Sequence, residues 1–270
     1  MKNQYGMPLM GFGTYGRTGA AGIAAISLAL ETGYRHLDTA QDYNTEREVG
    51  EAVRASGLAR NEVFLTTKVA TQNFAEGRLV PSLRKSCEEI GVDQVDLALI
   101  HWPSPRGEVP LATYLTQLAE AQSLGLASLM GVSNFTIALL EEAEAILGKG
   151  AIVNNQVELN PYITNAKLAA YCNSREISVT CYQPISKGRL KDDPVLTRIG
   201  KQHGASVEQV ALAWEMARGY CAIPTSSRAE RIRSNYEATR LSLAPDEIAA
   251  IDALDRGRRA VDPAWGPEWD

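Results

Sequence analysis

The chain has no uninterrupted apolar run of the ~18 residues that a bilayer-crossing helix requires, and its first residues lack the charged-then-apolar plan of a secretory leader. A membrane partner is therefore not expected, and the cytoplasm is the expected compartment. Cysteine is scarce. Cys87, Cys172, Cys181 and Cys221 stand far apart with no C-x-x-C pair, so neither a disulfide framework nor a zinc site is indicated, and no metal is expected. An excess of basic residues is also missing, because 27 Lys and Arg face 32 Asp and Glu for a net charge of −5. A general nucleic-acid surface needs a basic face, so nucleic acid is not an expected partner and any anion must be met by a local cluster. No Pro/Gly/Ser-rich linker interrupts the 270 residues, which are read as one domain over 1–270.

What the chain does have is 45% hydrophobic residues arranged in alternation. Short β-rich apolar runs fall at 10–15, 34–39, 63–69, 95–102, 129–135, 152–159, 177–185 and 220–226, separated by longer segments of helical period. Between the first two lies "AAGIAAISLALETG", with a stop at Gly33. Before the last lies "SVEQVALAWEMARG", where Ser206 and Gln209 have capping-box spacing. Eight strands alternating with helices predict an α/β fold, a (β/α)8 TIM barrel.

The stretch Gly11-Phe12-Gly13-Thr14-Tyr15-Gly16 matches the dinucleotide pattern G-x-G-x-x-G, with Asp38 at about the distance of the ribose-binding acid. The residues that feed it contain Pro8 and only a short apolar run, which is a poor central parallel strand. In a barrel the same glycines become the first strand and its loop.

Active-site residues of such barrels gather at the C-terminal strand ends. Those ends carry Asp38 and, just beyond, Tyr43; then Lys68; then His101 with Trp102. A lysine that ends the apolar run "FLTT" needs a carboxylate once buried, and Asp38 can supply it. Lys68 beside Tyr43 would stabilise the phenolate, so a lowered tyrosine pKa is expected. Such a phenol can give its proton to a developing alkoxide, with a neutral His101 as second hydrogen-bond donor.

The ordered segments "GYRHLDTAQDYNTEREVGEA", "TTKV", "LIHWP", "GVSNF", "NNQVELNPY" and "IPTS...RIRSN" resemble the successive signatures of the aldo-keto reductase superfamily. The ending "PEWD" and the compact loops are most similar to the bacterial 2,5-diketo-D-gluconic acid reductase B group. The resemblance implies a catalytic tetrad of Asp38, Tyr43, Lys68 and His101, and NADPH as cofactor. It places Gly13, Thr14 and Tyr15 along the nicotinamide and substrate pocket. Ser133, Asn134 and Gln156 would hold the carboxamide, and Tyr182 would stack on the nicotinamide. It also implies a monomer.

One segment departs from the pattern. Where the family commonly has Ile-Pro-Lys-Ser, this chain has Ile223-Pro224-Thr225-Ser226, and Thr225 removes a cation. Ser226, Ser227, Arg228, Arg231 and Arg233 remain, a basic cluster suited to a phosphate, with Arg231 aligned to the family's phosphate-binding arginine and Arg233 the weakest candidate. NADPH is expected over NADH, by a narrower margin than the lysine would give.

Tyr15, Tyr43, Trp102, Trp265 and Trp269 are expected to line an open substrate pocket. The resemblance implies small-molecule carbonyl substrates: simple aldehydes, α-dicarbonyls such as methylglyoxal, and keto sugars such as 2,5-diketo-D-gluconate. Two other readings stay open at this stage: a catalytically slow NADPH-binding sensor, and a hydrolase that pairs Asp38 with Glu158.

Overall fold

The apolar runs become strands because β-branched and leucine side chains suit a pleated surface that is covered on its outer side by helices. The computed structural model describes residues 1–270. Its strands are β1 Phe12–Gly13, β2 His36–Asp38, β3 Phe64–Val69, β4 Val95–Ile100, β5 Ala127–Ser133, β6 Ile152–Glu158, β7 Ser178–Tyr182 and β8 Cys221–Ala222. The helices are α1 Gly19–Thr32, α2 Glu46–Ala55, α3 Leu79–Ile90, α4 Leu111–Ser123, α5 Ile137–Leu147, α6 Ala166–Ser174, α7 Pro194–His203, α8 Val207–Ala217, α9 Ala229–Glu237 and α10 Pro245–Asp252. None is long and apolar enough to cross a membrane.

The strands pair in parallel in the order β1 to β8. A parallel bridge between Met10 and Ala222 closes the ring, with Gly11 N donating to Ala222 O at 2.9 Å and Gly13 N to Pro224 O at 3.0 Å. This is the (β/α)8 barrel, and the "GFGTYG" stretch lies at its seam. A side chain at Gly13 would stand 2.8 Å from the Ile223 carbonyl, and one at Gly11 would stand 2.6 Å from the His36 ring. The glycines therefore permit closure, and no dinucleotide turn forms there.

Seven of the eight strands lie inside the expected ranges, and β8 stops at Ala222 because Pro224 has no N–H to give a ladder. The fifth lies two residues earlier than expected, at Ala127–Ser133, since Asn134 turns to φ 63° and ends it. Ser206 and Gln209 do form the capping box of α8. The main core fills the layer between sheet and helices, and a smaller cluster of Met7, Leu97, Leu99, Val153, Cys221 and Ile223 plugs the barrel interior. The four cysteines are buried and unpaired.

Candidate active site

Parallel strands bring their C-terminal ends to one rim, so residues distant in sequence meet there. Asp38 ends β2, Lys68 lies on β3, and both are buried. Lys68 Nζ donates to Asp38 Oδ1 at 2.5 Å, to the Thr39 carbonyl at 3.0 Å and to the Tyr43 hydroxyl at 3.3 Å. These three contacts use all three protons of the ammonium. The Tyr43 oxygen is thus an acceptor toward Lys68, and its own O–H is left to point elsewhere. Asp38 Oδ2 accepts from Gln156 Nε2 at 2.8 Å, so the buried carboxylate is partnered on both oxygens.

A chain of hydroxyls holds this centre from behind. Thr14 Oγ1 donates to the Asp38 carbonyl at 3.0 Å, and Thr45 lies 2.9 Å from both Thr14 Oγ1 and Thr39 Oγ1. Each hydroxyl has one proton, so the bonds run one way, from Thr39 through Thr45 to Thr14 and Asp38. Thr45 precedes α2, where threonine would ordinarily cap the helix, yet its side chain makes no cap bond. It has been turned inward instead.

Burial raises the Tyr43 pKa above its ordinary value, and the opposing pull of Lys68 does not restore it. This corrects the expected lowering: the phenol is enclosed more deeply than the neighbouring charge can offset. Burial tends to lower the Lys68 pKa, but Asp38 and Tyr43 outweigh it, and the net direction is upward. Burial lowers the His101 pKa, which keeps the ring neutral at pH 7. His101 packs edge-on to Tyr43 at 5.4 Å between centroids, and its Nδ1 lies 3.4 Å from Asp42 Oδ2 without hydrogen-bond alignment.

Across the rim, Ser133 and Asn134 close β5, while Gln156 lies on β6 and Tyr182 ends β7. They are bound to one another: Ser133 Oγ donates to the Gln156 carbonyl at 2.8 Å, Asn134 Nδ2 to the His101 carbonyl at 3.1 Å, and Tyr182 OH to Asn134 Oδ1 at 2.8 Å. Gln156 turns its amide nitrogen to Asp38, which leaves Oε1 as the acceptor of that side chain. Tyr182 is half-buried and presents an aromatic surface at the same rim.

The loop after β8 is less organised. Ser226 Oγ accepts from Arg228 N at 3.0 Å, and Arg228 pairs with Glu230 on the surface. Ser227 and Arg231 are exposed at the start of α9, and Arg231 has no ion-pair partner. The mouth is aromatic: Tyr15 is 67% exposed and packs on Tyr43, and Trp102 meets Trp265 at 5.2 Å and Trp269 at 6.1 Å. The C-terminal segment that carries these tryptophans is tied down by Glu158, whose carboxylate accepts from Ala260 N and Val261 N. This overturns the hydrolase reading. Glu158 is buried and holds backbone, while Asp38 is neutralised by Lys68, so no carboxylate pair is available for it.

Sequence reading passed over Asp42, Thr39 and Thr45. Asp42 was visible as the residue before Tyr43, but its approach to His101 from another element was not.

The Aldo/keto reductase family model matches residues 9–256, and the chain belongs to that family. It is an oxidoreductase of carbonyl compounds. Among its relatives, "Methylglyoxal reductase DkgB" of Escherichia coli O157:H7 is 42% identical over 265 residues, covering 98% of this chain and 99% of the relative. The 2,5-diketo-D-gluconic acid reductase B of Corynebacterium sp. is 36% identical over 249 residues, covering 92% and 89%. A solved structure provisionally assigned as a 2,5-diketo-D-gluconic acid reductase B superposes with a TM-score of 0.94 at 36% identity, over 100% of this chain and 96% of that one. An aldo-keto reductase complexed with NADPH superposes with a TM-score of 0.89 at 29% identity, over 97% and 89%.

Proposed function

We propose that this protein reduces aldehydes and ketones to alcohols with NADPH, with Tyr43 as the proton donor. The observation that carries this reading is the saturated ammonium of Lys68. Because Lys68 donates to the Tyr43 oxygen, the phenolic proton is directed away from it, toward whatever lies in the mouth. Burial holds that phenol protonated at neutral pH, as a general acid requires.

The donor set fits a nicotinamide cofactor. Ser133, Asn134 and Gln156 offer the mixture of donors and acceptors that a carboxamide needs, with Gln156 Oε1 as an acceptor once its amide nitrogen is given to Asp38. Tyr182 offers a flat ring, and Gly13 and Thr14 bring close backbone to the same rim. Ser226, Ser227, Arg228 and Arg231 would hold a 2′-phosphate, with Arg231 the unpaired guanidinium among them. When bound, the reduced nicotinamide supplies a hydride to the carbonyl carbon. Tyr43 gives its proton to the carbonyl oxygen as negative charge develops there, and Lys68 then stabilises the phenolate left behind. Neutral His101 orients the carbonyl beside Tyr43. Tyr15, Trp102, Trp265 and Trp269 form the wall against which the rest of the substrate packs.

The names of the relatives support α-dicarbonyls and keto sugars as substrate classes, with methylglyoxal and 2,5-diketo-D-gluconate as the first to try. The test is loss of NADPH absorbance with these two and an aromatic aldehyde, with the alcohol formed in equal amount. Tight NADPH binding without turnover of any carbonyl would contradict the reading and favour a nucleotide-binding sensor.

A further inference from the structure

The charged side chains acting most strongly on Tyr43 and His101 are Lys68, Asp38 and Asp42. The first two cancel, since they form an ion pair inside the barrel and both are buried. Asp42 has no cation to cancel it. Its Oδ1 accepts from Gln72 Nε2 at 3.1 Å, and its Oδ2 faces the neutral His101 ring. The Asp42 side chain is 43% exposed, against 12% for His101. Asp42 is therefore an uncompensated carboxylate at the opening, one residue from Tyr43. The tail wall does not balance it. Arg259, the guanidinium that packs on Trp269 at 3.5 Å, donates to Asn165 and lies among Glu158, Asp262 and Asp270.

We propose that Asp42 is a specificity-determining residue, which makes this site select neutral carbonyl compounds over those that carry a carboxylate. The inference rests on the carbonyl reduction proposed above and narrows its substrate class. Two like charges about 7 Å apart, at an effective dielectric between the ~20 of a protein surface and the ~80 of water, repel enough to change kcat/KM by roughly threefold to fiftyfold, with about tenfold as the middle of that range. Both charges sit at an open mouth, so added salt reduces that discrimination. Of the two substrates named among the relatives, methylglyoxal is neutral and 2,5-diketo-D-gluconate is an anion. Asp42 favours the first.

The probe pair is 4-carboxybenzaldehyde and its methyl ester, which share a reacting aldehyde and differ in one charge. The wild type is expected to prefer the ester about tenfold in kcat/KM at low salt, and Asp42→Asn to bring the two within about threefold. Asp42→Glu, which keeps the charge, should retain the preference. Raising the salt to about 0.5 M should narrow the wild-type ratio, a readout that needs no variant. An Asp42→Asn ratio equal to wild type, a salt-independent wild-type ratio, or a preference for the acid would overturn the proposal. Failure of the reductase reading looks different, because the wild type would then reduce neither probe nor methylglyoxal; the inference would fall with it.

Discussion

The rim above β2, β3 and β4 and the loop after β8 belong to one ring of strands, yet they are built in opposite ways. At the rim, Lys68 and Asp38 are fully buried and every proton of the ammonium has an acceptor. In the loop, Ser227 and Arg231 are exposed, and Arg228 is occupied only by a surface pair with Glu230. The difference follows from cost. A charge taken out of water must find its partners within the fold, whereas an exposed guanidinium can wait for a ligand. On the proposed function, chemistry that depends on a held proton would be preorganised, while phosphate binding would be left to exposed side chains.

That contrast breaks if Lys68 can be removed cheaply. Lys68→Met leaves Asp38 buried with Gln156 as its remaining side-chain partner, and is expected to cost about 3 to 5 kcal/mol in denaturant unfolding and to abolish turnover. A stability loss below about 1 kcal/mol would show that the rim is not built on this pair. A smaller effect of another kind is expected in the loop. Arg231→Ala should weaken NADPH binding by about ten- to a hundredfold in fluorescence titration, with kcat at saturation and stability unchanged. If NADPH affinity were unaltered, the phosphate would have to be held elsewhere.

Much of this was legible in the chain, for reasons that differ by residue. Eight apolar runs with turn signals between them predict the barrel, because strand and helix periods are local properties. The meeting of Asp38, Tyr43, Lys68 and His101 follows from the same alternation, since every strand end of such a barrel faces one rim. Quantities set by three-dimensional balance were not legible. The direction of the Tyr43 pKa depends on how deeply the phenol is enclosed, and proximity to Lys68 alone suggested the wrong sign. Thr45 reads as a helix cap and spends its hydroxyl on Thr14 and Thr39. Glu215 reads as a polar helix position in "VALAWEMARG", but it is buried with neither oxygen bonded, and burial raises its pKa well above the carboxylate range. Asp42 sits inside a quoted motif, and only the fold puts its carboxylate against His101.

The central claim is that the proton of the reduced carbonyl comes from Tyr43. It is tested most directly by measuring kcat for methylglyoxal and the NADPH dissociation constant of Tyr43→Phe beside wild type. The account predicts a fall in kcat of about a thousandfold or more with NADPH affinity unchanged. A variant that keeps more than about a tenth of wild-type kcat would contradict it, and the proton would have to come from another group.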